Sequence, residues 1–240
     1  MRYIILDVET TDMDPETSGI VEIAGISRDV NGDLLTYSAL CNPGIPVGVE
    51  AMAVHHLQDH ILTGAPAPDI ALGKMIQHLL GEAEDGEEFL VVAHNAEFDR
   101  GFIAKLDSAL ADKSSWICTY RCAMHLWPDA PRHSNQCLRY WLGLELDLPE
   151  DLHPHRALYD VIVTEGILRR MLEMRSLSEL LHLSQEPVLL RTVRFGKHKG
   201  AEWKNLPADY LRWILKQSDF DTDSRHTAMH YLRPRQSTLV

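Results

Sequence analysis

Three short stretches of this 240-residue chain carry side chains suited to metal or acid–base chemistry. Asp7 and Glu9 stand two residues apart, just after the apolar run Tyr3-Ile4-Ile5-Leu6. On a strand, residues i and i+2 face the same way, so the two carboxylates would project side by side. Like charges near a buried strand are costly unless a cation neutralises them. Hard divalent cations such as Mg²⁺ favour carboxylate oxygens. Asp99 follows a second apolar run, Phe89–Ala93, within His94-Asn95-Ala96-Glu97-Phe98-Asp99. Asn95 suits a helix cap. Asp99 then falls in the first turn, near the sheet edge where α/β active sites collect. An acid there could equally do no more than favour the helix dipole. His155 and Asp160 are five residues apart, which on one helix would put them on different faces. Pro154 resolves this: the helix starts near His155, leaving the histidine on a loop edge and Asp160 on the first full turn. A histidine with an ordinary pKa of ~6.5 beside a metal-binding aspartate suits the deprotonation of water. Each pair alone recurs by chance in a chain with 35 acids and 13 histidines, so the signal lies in their order.

That order, with its flanking residues, carries a resemblance. Asp7-Val8-Glu9-Thr10-Thr11, then His94-Asn95-Ala96-Glu97-Phe98-Asp99, then His155-Arg156-Ala157-Leu158-Tyr159-Asp160 resemble the three motifs of the DEDDh group of DnaQ-like 3′→5′ exonucleases. Ala51-Met52-Ala53-Val54-His55-His56-Leu57 is similar to that family's segment against the 3′-terminal nucleotide. This chain has His55-His56-Leu57 where His-Gly-Ile is the more common pattern. The likeness covers Met1–Met174. Beyond it, Phe195-Gly196-Lys197-His198-Lys199-Gly200 and Tyr210-Leu211-Arg212-Trp213 are similar to the extension carried by exodeoxyribonuclease-X-type members.

The resemblance implies a ribonuclease-H-like α/β fold, a mixed sheet covered by helices. It also implies removal of 5′-mononucleotides from DNA 3′ ends, in DNA repair. By the same resemblance Asp7, Glu9, Asp99 and Asp160 would hold two Mg²⁺ ions, with Mn²⁺ able to substitute, and His155 would take the proton of the attacking water. Thr10, His55 and Leu57 would hold the terminal nucleotide. Asn95 would either position the strand or only cap its helix. Two alternatives stay open: an RNA 3′-end trimming nuclease of the same fold, and a non-catalytic subunit docked on a polymerase or on nucleic acid. The presence of all five catalytic-type residues favours an enzyme. A homodimer also stays open.

These side chains need a scaffold, and the chain supplies strand and helix patterns in order. Arg2–Asp7, Ile20–Val30 and Leu34–Cys41 read as consecutive strands, the last two joined by the hairpin signal Asn31-Gly32-Asp33. Helices are expected at Val49–His56 and Asp69–Leu80, an exposed acidic loop at Gly81–Glu88 and a strand at Phe89–Ala93. There follow a helix from Ala96 to Leu110, a strand at Trp116–Thr119, and helices at Tyr120–Leu126, Asn135–Leu142 and Arg156–Met174. Ser176–Glu186 fits either helix or linker, and residues 175–189 are taken as a linker. A small α+β module over 190–240 would hold a strand at Val188–Phe195, a turn at Gly196–Gly200, and helices at Asn205–Gln217 and Asp223–Leu232. In the first of these helices, Leu206, Tyr210, Trp213, Ile214 and Gln217 share a helical spacing that reads as a core stripe.

Net charge is −12, which argues against bulk electrostatic gripping of nucleic acid. The distribution is uneven. Residues 1–186 hold 13 basic and 30 acidic side chains, a balance of −17; residues 187–240 hold 10 and 5, a balance of +5. Either the basic end touches phosphates, through Lys197 and Lys199 on a glycine-flanked turn, or the surface charge is simply uneven. No apolar run is long enough to cross a membrane. Four cysteines without a CxxC pair exclude a zinc ribbon or a disulfide scaffold, and with no leader-like start they fit a reducing cytoplasm.

Overall fold

In the computed structural model, which describes residues 2–28, 32–81 and 89–233, Ile4, Leu6 and Val8 point one way from β1 (Arg2–Thr10) into the main core. The elements that follow are β2 (Ile20–Arg28), β3 (Leu34–Leu40), α1 (Val49–His55), α2 (Asp59–Leu62), α3 (Pro68–Leu80), β4 (Phe89–Ala93), α4 (Ala96–Leu106) and α5 (Ser108–Lys113). Then come β5 (Ser115–Cys118), α6 (Thr119–Leu126), α7 (Asn135–Trp141), α8 (Ala157–Leu172), α9 (Leu177–Gln185), α10 (Ala208–Lys216) and α11 (Thr222–Leu232). The chain folds as two units. One comprises residues 1–122 and 130–184; the other comprises 123–129 and 185–240.

The N-terminal unit holds one five-stranded sheet in the order β3-β2-β1-β4-β5. β1 pairs antiparallel with β2 and parallel with β4. On one face, Met75 and Leu79 of α3 and Phe102 and Ile103 of α4 close over Ile4, Leu6, Val8 and Ile23. Gly25 of β2 permits this approach: a Cβ there would lie 2.9 Å from Met75 Sδ and 2.8 Å from Leu79 Cδ1. The pleat sends Asp7 and Glu9 to the opposite side. There the first turn of α8 brings Asp160 to within 4.8 Å of them, ligand atom to ligand atom.

Most expected boundaries move by a residue or two. β1 runs on to Thr10 instead of stopping at Asp7, so Glu9 is held in the sheet, opposite Glu22 of β2. The helix expected over Ala96–Leu110 breaks at Asp107, whose extended backbone and side chain start α5 by accepting the Leu110 N–H at 2.9 Å. Of the expected Gly81–Glu88 loop only Gly81 lies within the described residues; of the Asn31-Gly32-Asp33 hairpin only Asn31 lies outside them, and β2 and β3 pair antiparallel. The 175–189 stretch expected as a linker is helical from Leu177 to Gln185. All four cysteines are free thiols; Cys118 and Cys122 are packed in the interior. No helix among the described residues is long and apolar enough to cross a membrane.

The C-terminal unit has its own core of Val193, Trp203, Leu206, Leu211, Ile214 and Ala228. The strand expected at Val188–Phe195 does not form, so the β part of the α+β module reduces to a single bridge, Thr192–Glu202. The physical reason lies in where its N–H groups go. Those of Val188 and Leu190 donate to Asp223 Oδ1 and Thr227 Oγ1 of α11, so helix side chains take the bonds a neighbouring strand would have taken.

Candidate active site

Asp7, Glu9 and Asp160 converge from β1 and α8. Asp99, on the first turn of α4, is 2% exposed, and its Oδ1 accepts the Val8 N–H at 3.3 Å. It therefore meets β1 between the two strand acids. Burial raises all four carboxyl groups first, and repulsion by neighbouring carboxylates adds to it at Asp7 and Glu9. Asp7 is held well above the ordinary range by burial and by Asp99, Glu9 and Asp160. Glu9 is pushed up to about 8 and Asp99 to about 7, while Asp160 is also raised. Without a cation, this cluster holds protons that free carboxylates would lose. Oxygen-only donors, close together and repelling one another, are the donor set that hard divalent cations take.

His155 lies two residues ahead of α8, exposed, in a left-handed conformation with φ 67°. A non-glycine residue holds that conformation only where its surroundings enforce it. Its backbone N–H donates to Asp160 Oδ2 at 2.9 Å, which ties the histidine to the carboxylate. The other Asp160 oxygen accepts from Gln136 Nε2 at 3.3 Å.

Glu22 and Arg156 were not singled out from the sequence, yet they frame the site. Arg156 Nε and an outer guanidinium nitrogen donate to the two Glu22 oxygens at 2.9 and 2.7 Å, and the Ala157 N–H adds a third bond at 3.0 Å. The Glu22 side chain is 3% exposed. This buried pair clamps the start of α8 to β2, one strand from Asp7 and Glu9. The only sequence signal was an acid inside the otherwise apolar stretch Ile20–Ile26.

The residues expected to contact the nucleotide fall in different surroundings. His55 and Leu57 are 2% and 3% exposed, so their side chains face inward. The Leu57 N–H donates to His55 Nδ1 at 3.0 Å, so Nε2 carries the proton and donates to the Thr10 carbonyl at 3.2 Å. Burial lowers the His55 pKa and favours that neutral form. His55 thus braces the end of β1. The Thr10 side chain is buried too, donating to the Asp12 carbonyl at 2.7 Å. The exposed neighbour is His56, whose ring packs edge-on against His153 at 5.1 Å, joining this segment to the loop before α8. Asn95 stands at the start of α4 with φ 80°, but its side chain makes no capping bond; it is exposed. His94 is wedged between the Thr119 hydroxyl and the His133 carbonyl, and burial lowers it to about 4. Lys197 and Lys199 belong to the C-terminal unit and are exposed there.

Known proteins resemble this chain in sequence and in fold. A family described as exonuclease matches residues 4–168. Exodeoxyribonuclease 10 of Escherichia coli (strain K12) is 30% identical over 235 residues, covering 95% of this chain and 97% of its own. The PolC-type DNA polymerase III of Bacillus subtilis (strain 168) is 27% identical over 175 residues, which is 71% of this chain and 11% of the polymerase. Among solved structures, exonuclease X in complex with 5′-overhanging duplex DNA matches with a TM-score of 0.60 and 29% identity, covering 76% of this chain and 99% of that one. A structure of exonuclease I, at 16% identity and a TM-score of 0.57, shares the fold over 75% of this chain and 42% of its own.

Proposed function

This chain belongs to the exonuclease family, and we propose that it removes 5′-mononucleotides from DNA 3′ ends with the help of two divalent cations, Mg²⁺ or Mn²⁺. The observation that carries this reading is the convergence of Asp7, Glu9 and Asp160 within 4.8 Å, beside a histidine tethered to Asp160. Asp7, Glu9, Asp99 and Asp160 are the residues that would hold the cations. When bound, such ions offset phosphate charge and make water more acidic.

The chain's own groups then have separate tasks. The carboxylates, ionised in the cation's presence, fix where the scissile phosphate can sit. His155 accepts the proton of the attacking water on a ring nitrogen. Its exposure lets the proton pass to solvent. The water oxygen bonds to phosphorus, the bond from phosphorus to the 3′ oxygen of the preceding nucleotide breaks, and that oxygen takes up a proton. The products are a 5′-mononucleotide and a strand one nucleotide shorter. Exposed Asn95 and the exposed lysines Lys197 and Lys199 are assigned to the strand, in a DNA-repair setting in the cytoplasm. The domain reading is an exonuclease body over 1–174 followed by a basic module.

The test is digestion of matched 5′-labelled DNA and RNA oligonucleotides with Mg²⁺, beside an Asp7→Asn control. A shortening ladder on DNA that the variant loses supports the reading. A ladder mainly on RNA moves the activity to RNA ends. No ladder on either, from folded protein with metal present, overturns it in favour of a non-catalytic subunit.

A further inference from the structure

We propose that the ring pair Tyr210–Trp213 on α10 is a stacking platform for the unpaired bases of a single-stranded polynucleotide. The helical spacing assigns both rings to the core, but the structure does not put Trp213 there. Leu211 and Ile214 fill the core from α10, at 2% and 0% exposure, while Trp213 is 46% exposed. Burial of α10 therefore does not account for this tryptophan.

The pair is flat and firmly held. The two rings stack at 5.3 Å with 23° between their planes. Behind them, aromatic contacts run inward from Trp213 to Phe220 at 5.6 Å, to Phe195 at 4.7 Å and to fully buried Trp203 at 6.0 Å. On the other side, His198 packs on Tyr210 at 4.4 Å and Lys197 Nζ lies 5.4 Å from the centre of the Tyr210 ring. Gly196 makes this approach possible: it adopts φ 60°, and a Cβ there would come within 3.2 Å of Tyr210 Oη. The rings are thus fixed before any ligand arrives, which lowers the ordering cost of binding.

Charge selects the occupant. Lys197, Lys199, Arg212 and Lys216 are all exposed on the 196–200 turn or on α10, within a segment of balance +5 attached to a body of balance −17. A ligand matching both features needs exposed flat faces and closely spaced negative charges. Single-stranded nucleic acid supplies both, whereas a duplex hides its base faces. This inference rests on the reading that the chain acts on polynucleotides, but its test requires no cleavage. A failure here is therefore distinct from a failure of the cluster at Asp7.

The experiment is fluorescence anisotropy with the full chain in EDTA, using labelled oligothymidylate and an abasic oligonucleotide of the same length. Loss of one stacked base predicts about 5- to 100-fold weaker binding of oligothymidylate by Trp213→Leu. Wild-type protein should bind the abasic strand at least as weakly, and its tryptophan fluorescence should be quenched by oligothymidylate alone. The salt dependence should be the same in both proteins, because no phosphate contact is removed. Equal wild-type affinity for the two strands overturns the proposal, whether or not the variant folds. So does unchanged affinity in a Trp213→Leu protein of wild-type circular dichroism, or preference for polyglutamate over oligothymidylate, which would assign the face to an acidic protein.

Discussion

The acidic cluster of the N-terminal unit and the basic turn of the C-terminal unit treat charge in opposite ways. Asp99 and Asp160 are buried, and Asp7 and Glu9 half-buried, in a space where burial raises all four and the neighbouring carboxylates raise Asp7 and Glu9 further. Lys197 and Lys199 stand in water. The first arrangement is destabilising unless a cation enters, so it has to be imposed by the surrounding fold: by the β1–β2 register, the Val8 N–H on Asp99, and the Glu22–Arg156 clamp. The second costs the fold almost nothing and needs only a glycine-bounded turn. Salt and substitution should therefore act differently on the two. Crowded, desolvated charges affect folding and chemistry together; solvated charges act mainly on encounter and affinity and are screened by salt.

The sharpest way to break this contrast is Asp7→Asn. Cleavage should fall at least about a thousandfold, the scale expected when several kcal/mol of metal-derived stabilisation are lost. The same change should leave the metal-free protein more stable, because a buried amide is neutral without having to take up a proton. pH gives this its sign. Glu9 rises from an ordinary 4.5 to about 8 in the folded chain. Between those values the folded state binds more protons than the unfolded one, so stability falls as pH rises. Neutral His94, lowered to about 4, acts in the other direction only below about pH 6.5. Metal-free wild type should therefore lose Tm from pH 6.5 to 8, Asp7→Asn should lose less, and Mn²⁺ should raise the Tm of wild type alone. A variant less stable than wild type throughout would show that the carboxylates are not in repulsion.

His155→Ala comes next. A general base contributes roughly 10²–10⁴-fold, and since the ring is exposed, Tm should hardly move. Single-turnover rates of the variant and wild type under the same conditions are the measurement. Arg156→Ala should do the reverse, acting first on stability. Leaving buried Glu22 unpaired costs about 3–5 kcal/mol, or roughly 10 °C in Tm for a chain of this size. Arg156→Lys should recover only part, because a single ammonium cannot bond both Glu22 oxygens as the guanidinium does. The smallest effect belongs to the basic turn. Lys197→Ala/Lys199→Ala should weaken single-stranded DNA binding severalfold and lower the salt slope by about 1.4, with Tm unchanged. A shift in Tm as large as that of Arg156→Ala would erase the distinction between the two regions.

The motifs carried a resemblance to the family the chain belongs to, and the strand and helix patterns carried the mixed sheet; the roles of the four acids and the histidine are what that resemblance implies. Asp7 and Glu9 share a face because a strand alternates with period two, and Pro154 keeps the helix from reaching back through His153. Both are properties of a few consecutive residues. The tertiary structure decided what lies against each face. Glu22 meets Arg156 across 134 positions, His55 turns inward to the Thr10 carbonyl, and the N–H groups of 188–190 find helix side chains instead of a strand. It also left Trp213 outside a core that its spacing would have entered. Local pattern sets the direction of a side chain on its own element. Which partner excludes water from that direction depends on packing between segments far apart in the chain, and this packing buried His55, paired Glu22 and exposed Trp213.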